Sequence, residues 1–184
     1  MKIEIWCKAF LNIYHILPNI VNSIDKLVLL KGVNSSYFCD GQKNSTISQF
    51  ESIMSLTQKK ICLINLKVLT DEVLLEMKKE SSKLLILRFI NNVGCKKAIE
   101  LSNKPRRTYF RALNRALKEF ESLFYSKILN NKSLYESLNG ESFLEDVFEK
   151  INLFEKKSSN EDCFLNYSDN ICSFIVNKIK KIVW

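Results

Sequence analysis

The sequence predicts an all-α fold, a helical bundle with an additional C-terminal helical segment, and three observations carry that expectation. Only 4 Gly and 2 Pro occur in 184 residues, too few to supply the turns of a β-sandwich or barrel. Apolar residues recur at three- and four-residue steps through most of the chain, and no stretch alternates with the period of two that marks a half-buried strand. The composition, 46% apolar and 26% charged, is ordinary for a globular chain long enough for one sizeable core or two small ones.

Taken in order, Ile3, Trp6, Cys7, Phe10, Ile13, Tyr14 and Leu17 have the spacing of an amphipathic helix. Pro18 restarts or kinks it, because proline is tolerated in a first turn but not in a helix interior. A second helix continues through Ile20, Ile24, Leu27 and Val28, with Gly32 as its expected stop. Asn34–Ser45 is rich in Asn, Ser, Asp and Gly and reads as a loop. Ser48 with Glu51 three residues on reads as a capping box. From there Ile47, Phe50, Met54, Thr57, Ile61, Ile64 and Val68 alternate steps of three and four, the seam of a coiled-coil-like helix. That helix either breaks at Thr70-Asp71 or runs on to Lys79. The seam has the apolar stripe for helix association, and the simpler expectation is that it packs onto the chain's own core.

Ser81-Ser82 opens a short apolar helix, LLILRFI, ending near Asn91-Asn92. A smaller helix over Cys95–Leu101 follows Gly94, the tetrad SNKP makes a turn, and a long helix runs from Pro105 to about Ile128. The tail reads as short helices over Ser133–Leu138, around Phe143–Phe154 and over Asp169–Val183, with a link at Lys156–Asp162. Three regions follow: an N-terminal helical region with the long coiled-coil-like helix (1–80), a central helix-turn-helix region (81–128) and a C-terminal helical extension (129–184).

The net charge of +8 is unevenly spread. Residues 1–90 carry 12 Lys and Arg against 8 Asp and Glu; residues 91–135 carry 10 against 3; residues 136–184 carry 6 against 9. The basicity therefore belongs to the middle of the chain, where a local positive field raises affinity for polyanions. Six cysteines are scattered without a Cys-x-x-Cys pair and there is one histidine, so no zinc-ligand cluster is offered. No cofactor is expected. Met1–Phe10 lacks the pattern of a signal peptide and no apolar run approaches the roughly 20 residues that span a bilayer, so a cytoplasmic location with free thiols and no membrane partner is expected. The richness in Lys, Asn and Ile is that of an AT-rich bacterial or phage genome. No nucleophile motif or Gly-rich phosphate loop occurs, and the lone His15 lies on an apolar helix, so enzymatic activity is not expected.

The central segment, NKPRRTYFRALNRALKEFESLF, carries the chemistry. Between Lys104 and Lys118 there are six cations and no acid. On a helical wheel Phe110, Leu113, Leu117, Phe120 and Phe124 gather on one side, and Arg107, Arg111, Asn114 and Lys118 on the other, with Arg115 at the edge. A short helix, a tight turn and a long helix are the parts of a helix-turn-helix, whose second helix enters the major groove by its N-terminal residues. Here those residues are Arg106, Arg107, Thr108 and Arg111. The guanidinium fork donates two bonds to a guanine edge or to a phosphate.

The stretch LRFINNVGCKKAIELSNKPRRTYFRALNRALKEFE resembles the C-terminal DNA-binding region of bacterial sigma factors and the sigma-like regulators of phages. The shared features are an apolar helix ending in LR-aromatic-I, a short helix with Ala-Ile, and an RRT-aromatic-x-R-x-L-x-RAL run, over about residues 84–121. The resemblance implies a four-helix unit whose last helix reads promoter or operator DNA through Arg106, Arg107, Thr108 and Arg111. It also implies phosphate contacts from Lys96 and Lys97, with Lys104, Asn114, Arg115 and Lys118 completing the basic face. The expected function is thus a sequence-specific DNA-binding regulator of transcription, with double-stranded DNA as partner and RNA polymerase as a further candidate. The competing reading is a helical interaction module whose basic face binds an acidic protein. A homodimer is also a candidate, with the acidic tail beyond Ser133 as the expected interface.

Overall fold

The computed structural model describes residues 10–37 and 46–132, together with Cys7, Glu136, Glu149, Phe174, Ile175 and Asn177. Among these residues every regular element is helical, as the all-α expectation requires. The helices predicted for the tail lie outside the described residues, apart from the helical Glu136, Glu149, Phe174, Ile175 and Asn177; Ile175 is buried.

Residues 10–13 are helical and tighten into a 3₁₀ turn at Tyr14–Ile16, after which α1 runs over Leu17–Tyr37. Pro18 falls in the first turn of α1, where its missing N–H has no partner to lose. The expected stop at Gly32 does not occur, and the helix continues for five more residues. A Cβ added at Gly32 would meet nothing within 4 Å, and no positive φ is needed there, so this glycine neither ends the helix nor marks a close approach. It lowers helix propensity only modestly.

The second helix, α2, spans Thr46–Glu76 without a break. The undecided point at Thr70-Asp71 is helical, and the Thr70 hydroxyl donates 2.8 Å back to the Leu66 carbonyl, which satisfies it inside the helix. Because the helix opens at Thr46, Ser48 lies within its first turn and the predicted Ser48–Glu51 capping box does not mark the start. Two contacts fix α1 and its leading turn antiparallel to α2: Tyr14 donates to Asp71 Oδ1 at 2.5 Å and Lys60 Nζ lies 2.6 Å from Asp25 Oδ1. The chain positions fall in one helix as they rise in the other. Burial first, then the Asp71 carboxylate, pushes the Tyr14 phenol well above its ordinary pKa and keeps it a neutral donor.

The packing of α2 corrects the largest expectation. Its core face is Leu56, Leu63, Leu66, Val73 and Leu74, with Cys62 and Thr70 between them. The seam named from the sequence points the other way. Ile47, Phe50, Met54, Ile61, Ile64, Val68 and, one heptad on, Leu75 are between 40% and 86% exposed. Apolar residues thus line two opposite faces of α2, and only one of them meets the chain's core.

After Met77 and Lys78, α3 begins at Lys79, two residues before the predicted Ser81, and runs to Leu85. It widens into a π turn over Ile86–Ile90, in which the Asn91 N–H bonds the Ile86 carbonyl at 2.8 Å. α4 spans Cys95–Ser102 and α5 spans Arg106–Asn130, within two residues of the predicted bounds.

The long α5 ties these elements into one apolar core. Tyr109, Leu113, Ala116, Phe120, Phe124 and Ile128 form its buried face. The Phe120 and Phe124 rings stack with centroids 5.4 Å apart, and Phe124 in turn lies 6.5 Å from Phe10 near the chain's start. Leu117 and Phe110, predicted to be central on this face, are only partly buried; Tyr109 and Ala116 take the central line. At its C-terminal end Lys127 bridges to Glu76 at 2.7 Å and Glu72 at 3.4 Å on α2. In mid-helix, Glu119 accepts from the Lys78 N–H at 3.0 Å and the Ser81 hydroxyl at 2.7 Å, capping the otherwise uncapped start of α3.

Candidate nucleic-acid interface

The site is built from the α4–turn–α5 segment. Gly94 precedes α4 in an extended conformation, and Ala98 buries completely where α4 meets the core, so Lys96 and Lys97 face outward. α4 ends at Asn103, whose φ of 51° puts it in the left-handed region and whose N–H bonds the Glu100 carbonyl at 3.1 Å. Asparagine tolerates that conformation as few residues other than glycine do, which is why SNKP can turn the chain so sharply. Pro105 then presets the entry to α5, and its carbonyl accepts the Tyr109 N–H at 2.9 Å. Among the described residues no side chain caps α5, and no acid occupies its first turn, where the helix dipole is positive.

Arg106, Arg107, Thr108, Arg111, Asn114, Arg115 and Lys118 are all exposed on α5, and Lys104 is half-buried in the turn. Arg107, Arg111, Asn114 and Lys118 follow one line along the helix opposite the Tyr109–Ala116–Phe120 face, as their four- and three-residue steps require. Among the described residues, Arg106, Arg107, Arg111, Arg115 and Lys118 enter no ion pair. The contrast lies within one helix: Lys127 in its last turns is held by two carboxylates, while the cations of its first half face solvent. The Arg106 guanidinium lies 5.9 Å from the centre of the Phe110 ring, which braces it beside the helix start.

Two residues that the sequence did not single out position this segment. Arg88, the one charged residue in LLILRFI, is buried and donates 2.9 Å to the Val93 carbonyl, fixing the loop that delivers α4. Tyr109 buries completely beneath the basic face, edge-on to Phe110 with ring centroids 5.5 Å apart. Burial raises its pKa, Cys95 adds to that and Arg88 opposes it, so the ring remains neutral. A lone arginine in an apolar run is a signal for the first, and the second is the aromatic of the RRT-aromatic run.

Chemically this surface can donate hydrogen bonds and accept negative charge. No group of three or more His, Cys, Asp or Glu side chains that could hold a metal ion occurs among the described residues, and no described helix is long and apolar enough to cross a membrane. Cys7 and Cys62 are buried free thiols, and Cys95 is a partly exposed one. No protein-family model, curated protein or solved structure matches the chain.

Proposed function

We propose that this protein is a sequence-specific DNA-binding regulator of transcription, in which α5 enters the major groove by its N-terminal turns. The observation that carries the reading is the row of exposed cations on α5 that enter no ion pair among the described residues, on a helix delivered by a short helix and a left-handed turn. Cations at the positive end of a helix dipole cost stability, and a bound polyanion offsets that cost. In this reading Arg107 and Arg111 read base edges. Arg106 and Thr108 flank them, and Lys96, Lys97 and Lys104 meet phosphates. Asn114, Arg115 and Lys118 follow the groove as α5 leaves it. RNA polymerase is a further partner for a regulator of this kind.

The same face suits an acidic protein, and one observation favours that second reading: Leu101 on α4 is 57% exposed, an apolar contact point close to the turn. One experiment separates the two. Genomic DNA that co-purifies with the protein is sequenced, and the recovered site competes against random duplex at fixed salt. Sequence-specific regulation requires a preference of about a thousandfold or more for the recovered site. Equal competition by random DNA defeats the proposal.

A further inference from the structure

The exposed seam of α2 is unusual in its regularity. From Ile47 to Leu75 the steps are three and four without exception, which makes Ile47, Met54, Ile61 and Val68 the a positions of four consecutive heptads and Leu75 the a position that opens a fifth. The d positions are Phe50, Thr57, Ile64 and Asp71. The core-facing residues Leu56, Cys62, Leu63, Leu66 and Val73 fall at b, c or f, on the far side of the helix, while Leu74, also buried, falls at g beside the seam. The seam is therefore not a leftover of the internal packing.

Its two polar members are already satisfied: the Thr57 hydroxyl donates to the Ile53 carbonyl at 2.9 Å, and Asp71 accepts from Tyr14. The apolar stripe is about 40 Å long at 1.5 Å per residue. Seven of its nine members are large apolar side chains between 40% and 86% exposed. The antiparallel register of α1 on α2 sets the exposed Leu29, Leu30 and Val33 alongside the same end as Ile47–Met54, enlarging the apolar area there.

We infer that this seam pairs in parallel with the same seam of a second copy, forming a two-stranded coiled coil along α2. The occupant is identified by the polar residues flanking the stripe. At g stand Ile53, Lys60, Lys67 and Leu74, and at e stand Glu51, Gln58, Asn65 and Glu72. A parallel pair sets each g against the e position five residues on in the partner. Lys67, 4.0 Å from its own Asp71, then meets Glu72, and Lys60, already bridged to Asp25, meets Asn65. It also sets the two Asp71 carboxylates, each bonded by its own Tyr14, at one level. An antiparallel pair sets g beside g and brings Lys60 and Lys67 of the two copies together.

The parallel arrangement has a consequence at the basic face. α5 is anchored to the C-terminal end of α2 through Lys127, Glu72 and Glu76, so both copies of α5 lie at one end of the coiled coil. They are related by a two-fold axis along the seam. Resting on the DNA-binding reading, this predicts a target with two half-sites in two-fold symmetry.

The test uses the full chain without DNA, so its result is independent of that reading. Sedimentation of the intact protein shows a dimer that dissociates on dilution. Ile61→Glu with Val68→Glu, both at exposed positions, raises the dimer dissociation constant at least about a hundredfold while far-UV helicity is retained. Leu75→Cys, oxidised and mapped by mass analysis, yields a disulfide joining the two introduced thiols across the pair. A monomeric intact protein overturns the inference, including one whose Lys60 or Lys67 cross-links to residues 133–184 of the same molecule. A dimer that survives the double substitution overturns it as well, and a dimer of Leu75→Cys in which the introduced thiols stay unlinked overturns the parallel register.

Discussion

Replacing Arg107 or Arg111 by alanine separates reading DNA from merely attracting it. Both side chains are exposed and enter no ion pair among the described residues, so their removal takes nothing from the fold. Alanine is at least as good a helix former as arginine, and the urea midpoint should move by no more than about 0.5 kcal/mol equivalent. At the cognate site each arginine that grips a base edge is worth about 1–3 kcal/mol, or about 5- to 150-fold in dissociation constant at ~1.4 kcal/mol per decade. Random duplex offers no matched edge, so its affinity should fall far less. Arginine-to-lysine variants sharpen the point: they keep the charge, hence the non-specific binding, but lose the planar fork and should still lose the preference. Lys96→Ala should weaken both duplexes about equally and reduce the slope of log K against log salt by about one. The assay is fluorescence anisotropy of labelled cognate and random duplexes at one ionic strength, alongside urea melts. A specificity ratio unchanged in Arg107→Ala and Arg111→Ala refutes base reading by α5, and a fallen urea midpoint refutes the claim that these residues are free of structural work.

Three further outcomes are expected. Leu113, 7% exposed in the core face of α5, should cost about 2–5 kcal/mol when cut to alanine, lowering the melting temperature by roughly 2–4 °C per kcal/mol; an unchanged melting temperature contradicts its place in the core. Glu119→Ala removes the side chain that caps the start of α3, so hydrogen exchange at the Lys78 amide should accelerate at a cost of ~1 kcal/mol. The Lys78 N–H and then Ser81 lower the Glu119 pKa, so the cap's contribution is complete above the ordinary glutamate range and fades as pH falls through the depressed value. His15 is half-buried, burial lowers its pKa, and the Asn12 carbonyl opposes this only in part. The unfolded chain therefore binds the extra proton first, and stability should drop as pH falls below about 6.5, by at most ~1.4 kcal/mol per pH unit. As the chain's one histidine, it can be isolated by His15→Gln, which should flatten the stability profile between about pH 5 and 7.

Much of the central segment was legible because its punctuation is local. The Asn103 turn and Pro105 constrain the backbone locally, and α4 and α5 begin within a residue of where the sequence signals put them. Gly32 misled for the complementary reason. Glycine permits a left-handed stop without requiring one, and Leu27 and Val28 were already committed to the core before it. The buried face of α5 was displaced because a wheel of strong hydrophobes gives little weight to Tyr109 and Ala116. Tyrosine carries a hydroxyl and alanine little area, yet both are fully buried on α5.

The seam of α2 exposes a limit of a different kind. Periodicity reports that a helix has an apolar stripe; it does not report what meets the stripe. Here the more regular stripe, Ile47 to Leu75, faces outward, and the chain's core takes the less regular one, interrupted by Thr70 and by the buried Lys59, whose amine bonds Ser55 at 2.6 Å. An internal core is an irregular volume filled from several helices at several angles, so it tolerates mixed spacing and even a folded-back lysine. Two identical helices running side by side must meet themselves at every heptad, and only an unbroken three-four rhythm keeps both stripes in register over 28 residues. The regularity that made the seam look like core is therefore better explained by a partner with the same repeat. By the same argument, moving the seam out of phase should be worse than weakening it. Deleting one seam-side residue, Gln58, would rotate the two halves of α2 against each other, sending Ile47–Met54 toward the core side while Ile61–Leu75 stayed outside. Such a deletion should abolish self-association and lower stability together, whereas Ile61→Glu with Val68→Glu should abolish association with the helices intact. Circular dichroism melts beside sedimentation distinguish them, and a deletion that leaves both association and stability unchanged would show that the rhythm carries no structural information.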